Sequence, residues 1–162
     1  HTGPFRFYGI DYAGTILNDV TYAPFFAGAA GSGHSWHWEY YIDLHDLWQN
    51  YLPLVKLLEN VQVDEEAFEP FEIGNDQVRI LGLKGRHITL LYVRNKKDRW
   101  DYTLRDQCPI PSIQELDLPL CYSKAEVVGL HGDEHLSQQW SIAASHLTVS
   151  RFKHGFVAKM EL

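Results

Sequence analysis

The chain has little cysteine and no long apolar run. Its two cysteines, Cys108 and Cys121, flank a proline-rich loop within a sequence of 162 residues. A disulfide between them would close a short loop in an exported protein, and two unpaired thiols are the alternative. No run of about 18 apolar residues occurs, so the sequence predicts no membrane-spanning helix.

Basic charge is also scarce. The chain carries 14 Lys and Arg residues against 21 Asp and Glu residues, which gives a net charge of −7 at pH 7. A nucleic-acid-binding surface needs a concentration of basic side chains, whereas here they are interspersed with acidic ones. The composition therefore excludes nucleic acid from the expected partners.

No signal peptide is visible, and the sequence starts at His1 instead of a methionine. We therefore expect a mature, processed or excised piece of a longer protein. Its length is sufficient to bury a sizeable core, either as one domain or as two small ones.

Aromatic residues, in contrast, make up 14% of the chain, and several of them follow a run of small residues. Residues 28–33 are glycine, alanine and serine, and Trp alternates with other residues in the stretch from His34 to Ile42. This alternation predicts a buried strand with Trp36 and Trp38 on one face. A flat sugar ring with polar edges is a typical ligand for exposed aromatic rings.

Neither a metal nor a cofactor is predicted. His34 and His37 would point to opposite faces of a strand, which disfavours a shared metal ion. The turn His131–His135 is interpreted as a solvated acidic hairpin. Residues 28–33 lack the Lys-Ser/Thr pair of a phosphate-binding loop and precede a predicted strand instead of a helix.

Residues 1–62 and 63–162 differ in pattern, and we predict two domains with these bounds. The first part indicates a helix over about residues 14–27, the strand described above, and a helix that begins after Asp43 and continues to Leu58. From Val63 onwards, short apolar segments alternate with turn signals, which predicts an antiparallel β-sandwich. The predicted strand segments are 68–73, 77–83, 87–94, 100–105, 121–130, 139–144, 145–150 and 155–162. The predicted core residues are Ile80, Leu90, Tyr92, Trp140, Ile142, Leu147, Val149 and Val157.

Several motifs resemble one enzyme family. Residues 28–31, 35–39 and 41–43 resemble the last strand of a (β/α)8-barrel glycoside hydrolase of the bacterial cellulase-like type, in which a β-sandwich follows the barrel. His37 departs from that pattern, since the family would have another Trp there. Other segments resemble the neighbouring helices and the sandwich strands of these enzymes: 11–14, 17–18, 47–54, 82–85, 90–95, 147–149 and 156–159.

The resemblance implies a mixed fold, α/β plus all-β. Residues 1–62 would supply the closing strand and flanking helices of a (β/α)8 barrel, and residues 63–162 would form an antiparallel β-sandwich accessory domain. A complete barrel needs about eight βα units. The remaining units would therefore come from an upstream barrel segment or from a second chain of the same precursor.

The resemblance also implies a function, namely the C-terminal portion of a glycoside hydrolase that acts on poly- or oligosaccharides. Neither catalytic carboxylate of such an enzyme is recognisable, so no catalytic residue is assigned and both acids are expected outside this chain. The last barrel strand would line the sugar subsite through Trp38, helped by Glu39, Trp36 and His37. No cofactor is implied, and the expected location is secreted or periplasmic.

Two alternatives remain open at this point. A non-catalytic β-sandwich module could bind glycan or an extracellular protein through a row of exposed aromatics such as Tyr102, Tyr122 and Phe152. A purely structural role is the other alternative, with Trp36 and Trp38 as core residues, because a fold does not determine a function.

Overall fold

The computed structural model describes residues 4–33, 35–119, 122–143 and 145–161. Short helices precede the strands in the chain. The α-helices are α1 (Thr15–Phe26), α2 (Leu52–Leu58) and α3 (Val63–Glu66). Single 3-10 helices span Pro4–Ile10, Leu47–Tyr51 and Glu134–Gln138, and π-helical turns span Trp38–Asp43 and Asp101–Arg105.

Eight strands within the described residues form two antiparallel sheets. They are β1 (Glu69–Gly74), β2 (Val78–Lys84), β3 (Ile88–Asn95), β4 (Ile113–Pro119), β5 (Lys124–Gly129), β6 (Trp140–Ala143), β7 (His146–Phe152) and β8 (Gly155–Glu161). One sheet has the order β1-β2-β3-β8-β5, and the other has the order β4-β7-β6. Register follows the apolar alternation: Leu91 lies opposite Ala158, and Leu116 lies opposite Val149.

The two sheets pack face to face around an apolar core. Ile80, Leu91 and Val93 of the larger sheet meet Leu116 and Val149 of the smaller sheet. Each such side chain contributes about 1.5–3 kcal/mol by leaving water. This inter-sheet core therefore supplies much of the hydrophobic stabilisation of the strands.

The helices cover the opposite face of the five-stranded sheet. Tyr22 and Phe26 of α1 lie against Tyr92 of β3, with ring centroids 5.0 Å and 5.7 Å apart. Leu54 and Leu57 of α2 join the same buried cluster. The arrangement therefore has three layers, namely helices, five-stranded sheet and three-stranded sheet. Because β3 is covered on both faces, its residues are almost continuously buried.

The predicted barrel strand is wrong. Residues 35–42 form a turn followed by the π-helical turn, and His34 lies outside the described residues. Tyr41 and Ile42 are both buried although they are adjacent in sequence. Consecutive inward side chains fit a helical turn, whereas a strand would place them on opposite faces. The Trp alternation was therefore not a strand signal.

The predicted fold class, α/β plus all-β with the end of a barrel, is wrong for the same reason. The first described strand begins at Glu69, and every described strand pairing is antiparallel. A (β/α)8 barrel needs parallel strands that close on themselves. No barrel closure occurs within the described residues, and the domain is mostly sheet.

Three further differences from the predicted elements occur, and proline explains the first two. The helix expected directly after Asp43 begins as α2 only at Leu52, because Pro53 suits a first helical turn and not a helix interior. β4 was missed because prolines surround it, and it lies at a sheet edge, where Pro119 is tolerated. The segment 100–105, predicted as a strand, contains a π-helical turn.

The domain boundary expected at residue 62 falls between α2 and α3 and stays a prediction. Helices from before this point and strands from after it share one buried cluster. Within the described ranges, no helix has the length and apolar character needed to cross a membrane.

Candidate functional site

The four residues predicted to bind sugar lie close together in one exposed segment. Trp36 and His37 lie in the turn before the π-helical turn, and Trp38 and Glu39 begin that turn. Trp36 is 84% exposed and Trp38 is 50% exposed, while His37 and Glu39 are also exposed. The fold thus presents all four to solvent from a helical turn and not from a strand.

Tyr40 extends this surface, with 73% of its side chain exposed. We call residues 36–40 the aromatic turn. Large apolar surfaces left in water are costly, and contiguous ones on a folded domain mark contacts with a ligand or partner. Three large rings within five residues therefore make the aromatic turn the leading candidate for a binding surface.

Buried contacts directly behind the aromatic turn hold it in place. The ring of Tyr41 stacks on Tyr8 with centroids 4.2 Å apart, and the His37 ring meets the edge of Tyr8 at 5.9 Å. The Tyr41 hydroxyl donates to Asp11 and accepts the backbone N–H of Leu17 at 3.0 Å. Because Tyr41 is anchored inward, the residues before it on the turn face outward.

Asp11 is the centre of this anchor. Its carboxylate accepts the backbone N–H groups of Thr15 at 2.9 Å and Ile16 at 2.8 Å, which satisfies the start of α1. Burial raises the pKa of Asp11 even though these hydrogen bonds and the one from Tyr41 oppose the shift. Sequence reasoning missed this role, because a capping side chain is expected immediately before the helix and Gly14 occupies that position.

Other buried carboxylates also bind backbone amides instead of facing solvent. Glu66 accepts the N–H groups of His87 and Ile88 at 2.8 Å and 3.3 Å. Burial would raise the pKa of Glu66, but the hydrogen bonds together lower it. Asp133 accepts three backbone N–H groups from the β7–β8 turn. These acids bind backbone amides and so hold the fold together.

A buried polar network joins the helices to the sheet. Arg94 of β3 pairs with Asp19 of α1 and donates from Nη2 to the carbonyl of Thr15 at 3.1 Å. Asp98 accepts from the Thr15 hydroxyl at 3.2 Å and from Nδ1 of His154 at 3.1 Å. The sequence does contain a signal for this network, because Arg94 is a charged residue in the otherwise largely apolar β3.

The His154–Asp98 pair predicts a stability that falls at alkaline pH. Burial lowers the pKa of His154, but the hydrogen bond and charge of Asp98 outweigh it, so the pKa lies above its ordinary 6.5. A raised histidine pKa stabilises the fold below the unfolded value, and this contribution disappears as pH rises through the folded value. Between pH 6 and pH 9, we expect the free energy of unfolding of the wild type to fall by on the order of 1 kcal/mol more than that of His154→Gln.

Urea unfolding of both proteins at each pH measures this difference. Subtracting the variant's free energy of unfolding from that of the wild type removes the contribution of the other histidines. Equal pH profiles for the two proteins would show that His154 is not stabilised in its protonated form.

The aromatic side chains that the binding-module alternative would use are not exposed together on the sandwich. Phe152 is only 1% exposed and lies in the inter-sheet core. Tyr122 packs against the same core, and its hydroxyl hydrogen-bonds the hydroxyl of Thr89. Tyr102 is partly buried, with Lys97 Nζ 4.9 Å from its ring centroid. The aromatic turn is therefore the more accessible surface.

Neither metal nor disulfide chemistry gains support from the described residues. In this part of the chain, no group of three or more His, Cys, Asp or Glu side chains is placed to hold a metal ion. Cys108 lies with its Sγ 3.6 Å from the carbonyl oxygen of Asp106. Cys121 lies outside the described residues, so the pairing of the two cysteines stays a prediction.

Comparison with known proteins leaves the family unassigned. No family model matches the chain, and no curated protein matches it either. The resemblance to glycoside hydrolases therefore rests on the sequence motifs alone, and the function has to be argued from the exposed surface.

Proposed function

We propose that this chain is the sugar-contacting, non-catalytic portion of a glycoside hydrolase that acts on poly- or oligosaccharides. The aromatic turn contacts the sugar, and the catalytic carboxylates lie outside this chain. The observation that carries the proposal is the exposure of Trp36, Trp38 and Tyr40 on one anchored turn.

The chemistry of the aromatic turn suits a pyranose. The faces of sugar rings carry C–H groups that pack on indole, and their edges carry hydroxyls that need hydrogen-bond partners. Glu39 and His37 lie beside the two indoles and offer an acceptor and an imidazole. Anchoring by Tyr41 reduces the entropy that the turn loses when it binds a ligand.

The catalytic partner is proposed to be another part of the same precursor, either an upstream segment or a second chain. Hydrolysis of a glycosidic bond needs two carboxyl groups on opposite sides of the bond. Leu44, Leu52 and Val55, which follow the aromatic turn in the sequence, are exposed apolar side chains. Exposed apolar side chains are suited to contact with that partner. An exported enzyme, secreted or periplasmic, fits this proposal.

Calorimetric titration with cellohexaose, mannohexaose and xylohexaose tests the binding role. We expect the wild-type chain to bind at least one of them, and Trp36→Ala and Trp38→Ala to weaken that binding about tenfold each, because each removes one stacking ring. Trp48→Ala is the matched control, since Trp48 is 47% exposed but lies outside the aromatic turn. Its affinity should stay within about twofold of the wild type.

Two results would contradict the proposal. One is the absence of binding to all three neutral oligosaccharides. The other is an equal loss of affinity in the control and in the two variants. In the assembled enzyme, Trp38→Ala should also lower kcat/KM for the preferred glycoside, and an unchanged kcat/KM would remove Trp38 from the substrate site.

A further inference from the structure

A largely apolar groove lies between the two sheets, along the β4 edge of the smaller sheet. Its volume is about 290 Å³, and Phe71 and Ile73 of β1 line it together with Leu118 of β4. Ile73 lies directly opposite Ile80 in the β1–β2 ladder, so both side chains are on the face that forms the inter-sheet core. Ile80 is 2% exposed, whereas Ile73 is 53% exposed. The inner face of the larger sheet is therefore covered at β2 and left open at β1.

The smaller sheet has an unpaired edge beside this groove. Among the described residues, β7 is the only strand hydrogen-bonded to β4, so the other edge of β4 is free. A free edge presents N–H and C=O groups to which another strand can be added. Pro119 has no N–H, so the edge available for added pairing is at most Ile113–Leu118. A strand added here would lie over β1 at the usual distance between packed sheets, about 10 Å.

The outward side chains of β4 are acidic. Glu115 and Asp117 are both exposed and two residues apart, so they share the outer face of the sheet. Asp117 Oδ2 lies 2.8 Å from Nδ1 of His146, and no Lys or Arg of the described chain lies within ion-pairing distance of either carboxylate. Lys84 lines the groove itself, but it lies opposite Glu69 in the β1–β2 ladder. The free edge therefore combines an apolar inner side with an acidic outer side.

We propose that the β4 edge and the groove bind an extended segment of a partner protein, in which basic and apolar side chains alternate. The backbone of the segment pairs with β4, and its apolar side chains contact Ile73 and Leu118. Its basic side chains lie beside Glu115 and Asp117, because alternate residues of a strand share one face. A second copy of this chain does not fit, since antiparallel pairing of two β4 strands about Leu116 would place Glu115 opposite Asp117. The inference does not depend on sugar binding at the aromatic turn.

Fluorescence anisotropy with a labelled peptide of alternating lysine and valine, about eight residues long and blocked at both ends, tests this surface. We expect this lysine–valine peptide to bind. A peptide of alternating glutamate and valine should bind at least about tenfold more weakly, because its carboxylates would lie beside Glu115 and Asp117. A peptide with the same lysines and valines in two separate blocks should also bind at least about tenfold more weakly, because its valines cannot share one face. The block peptide has the same charge, so it separates strand pairing from general attraction to an acidic protein.

Two variants of the whole chain test the two sides of the edge. Glu115→Lys should weaken binding of the lysine–valine peptide about fivefold, because it places like charges side by side. Ile73→Ser should weaken it by a similar factor, about fivefold, because it removes apolar contact in the groove. Glu59→Lys is the matched control for the charge change, since Glu59 is also exposed and follows α2 in the helical layer. The control should stay within about twofold of the wild type. All three positions are exposed, so none of these variants threatens folding.

Hydrogen exchange locates the bound peptide. Protection should increase at the amides of Ile113–Leu118 and stay unchanged in β5, the edge strand of the larger sheet. Failure of the lysine–valine peptide to bind, equal binding of the three peptides, or equal weakening by Glu115→Lys and Glu59→Lys would overturn the proposal. Protection gained at β5 instead of β4 would also overturn it. So would loss of binding in Trp36→Ala but not in Ile73→Ser, by placing the peptide at the aromatic turn, or dimerisation of the chain through β4, by assigning the edge to a second copy.

Discussion

Replacing Arg94 with methionine is expected to lower the free energy of unfolding by about 3–4 kcal/mol, because it removes one partner from a buried ionic network. Methionine fills a similar volume but cannot donate a hydrogen bond. The Thr15 carbonyl would lose the donor at 3.1 Å, and Asp98 would stay buried without the nearby guanidinium, whose Nε lies 3.8 Å from its Oδ2. Urea unfolding at pH 7 measures the loss.

Arg79→Met is the matched control for this prediction. Arg79 also pairs with a carboxylate, Glu72, but both side chains are more than half exposed. Exposed pairs contribute about 0–1 kcal/mol, so this variant should stay close to the wild type. A similar small change in both variants would mean that the buried network does not hold the helices to the sheet.

Replacing Asp133 with alanine is expected to lower the free energy of unfolding by about 3 kcal/mol, because it leaves three buried or partly buried backbone donors without an acceptor. The carboxylate accepts the N–H groups of Lys153 at 3.0 Å, His154 at 2.5 Å and Gly155 at 2.9 Å. Asp133 itself is 1% exposed, so water cannot replace it without opening the turn. Asp133→Asn keeps one acceptor oxygen and should cost about half as much.

Hydrogen exchange of the three amides provides a readout specific to this turn. Protection of Lys153, His154 and Gly155 should fall in Asp133→Ala more than protection in the centre of β3. Asp76→Ala, at an exposed position in the β1–β2 turn, is the control. Unchanged protection of the three amides would show that the carboxylate does not hold the β7–β8 turn.

Local patterns were sufficient to predict much of the sheet. Short apolar segments bounded by turn signals, at residues 77–83 and 87–94, predicted strands where β2 and β3 lie, because segment length, apolar content and turn residues are all local properties of the sequence. The helix predicted over residues 14–27 corresponds to α1. The exposed aromatic residues of the candidate site were also singled out from sequence.

The conformation of the aromatic turn could not be predicted in the same way. Alternating Trp residues indicate a strand only if neighbouring strands cover one face, and here the backbone instead forms a π-helical turn. The decisive contacts are Tyr41 on Tyr8 and Asp11, which lie about thirty positions earlier in the chain. Such long-range contacts leave no periodic signal in a single sequence.

The sequence by itself determined the β-rich second part, the segments that form most strands, and the concentration of aromatic residues at positions 36–40. These features depend on side-chain period and composition, which are read residue by residue. Only the tertiary structure decided that this segment is a helical turn exposed to solvent and that Phe152 is buried. It also decided that Arg94 and His154 both contact Asp98. Those outcomes depend on which distant surfaces exclude water from one another, and that is a property of the packed chain.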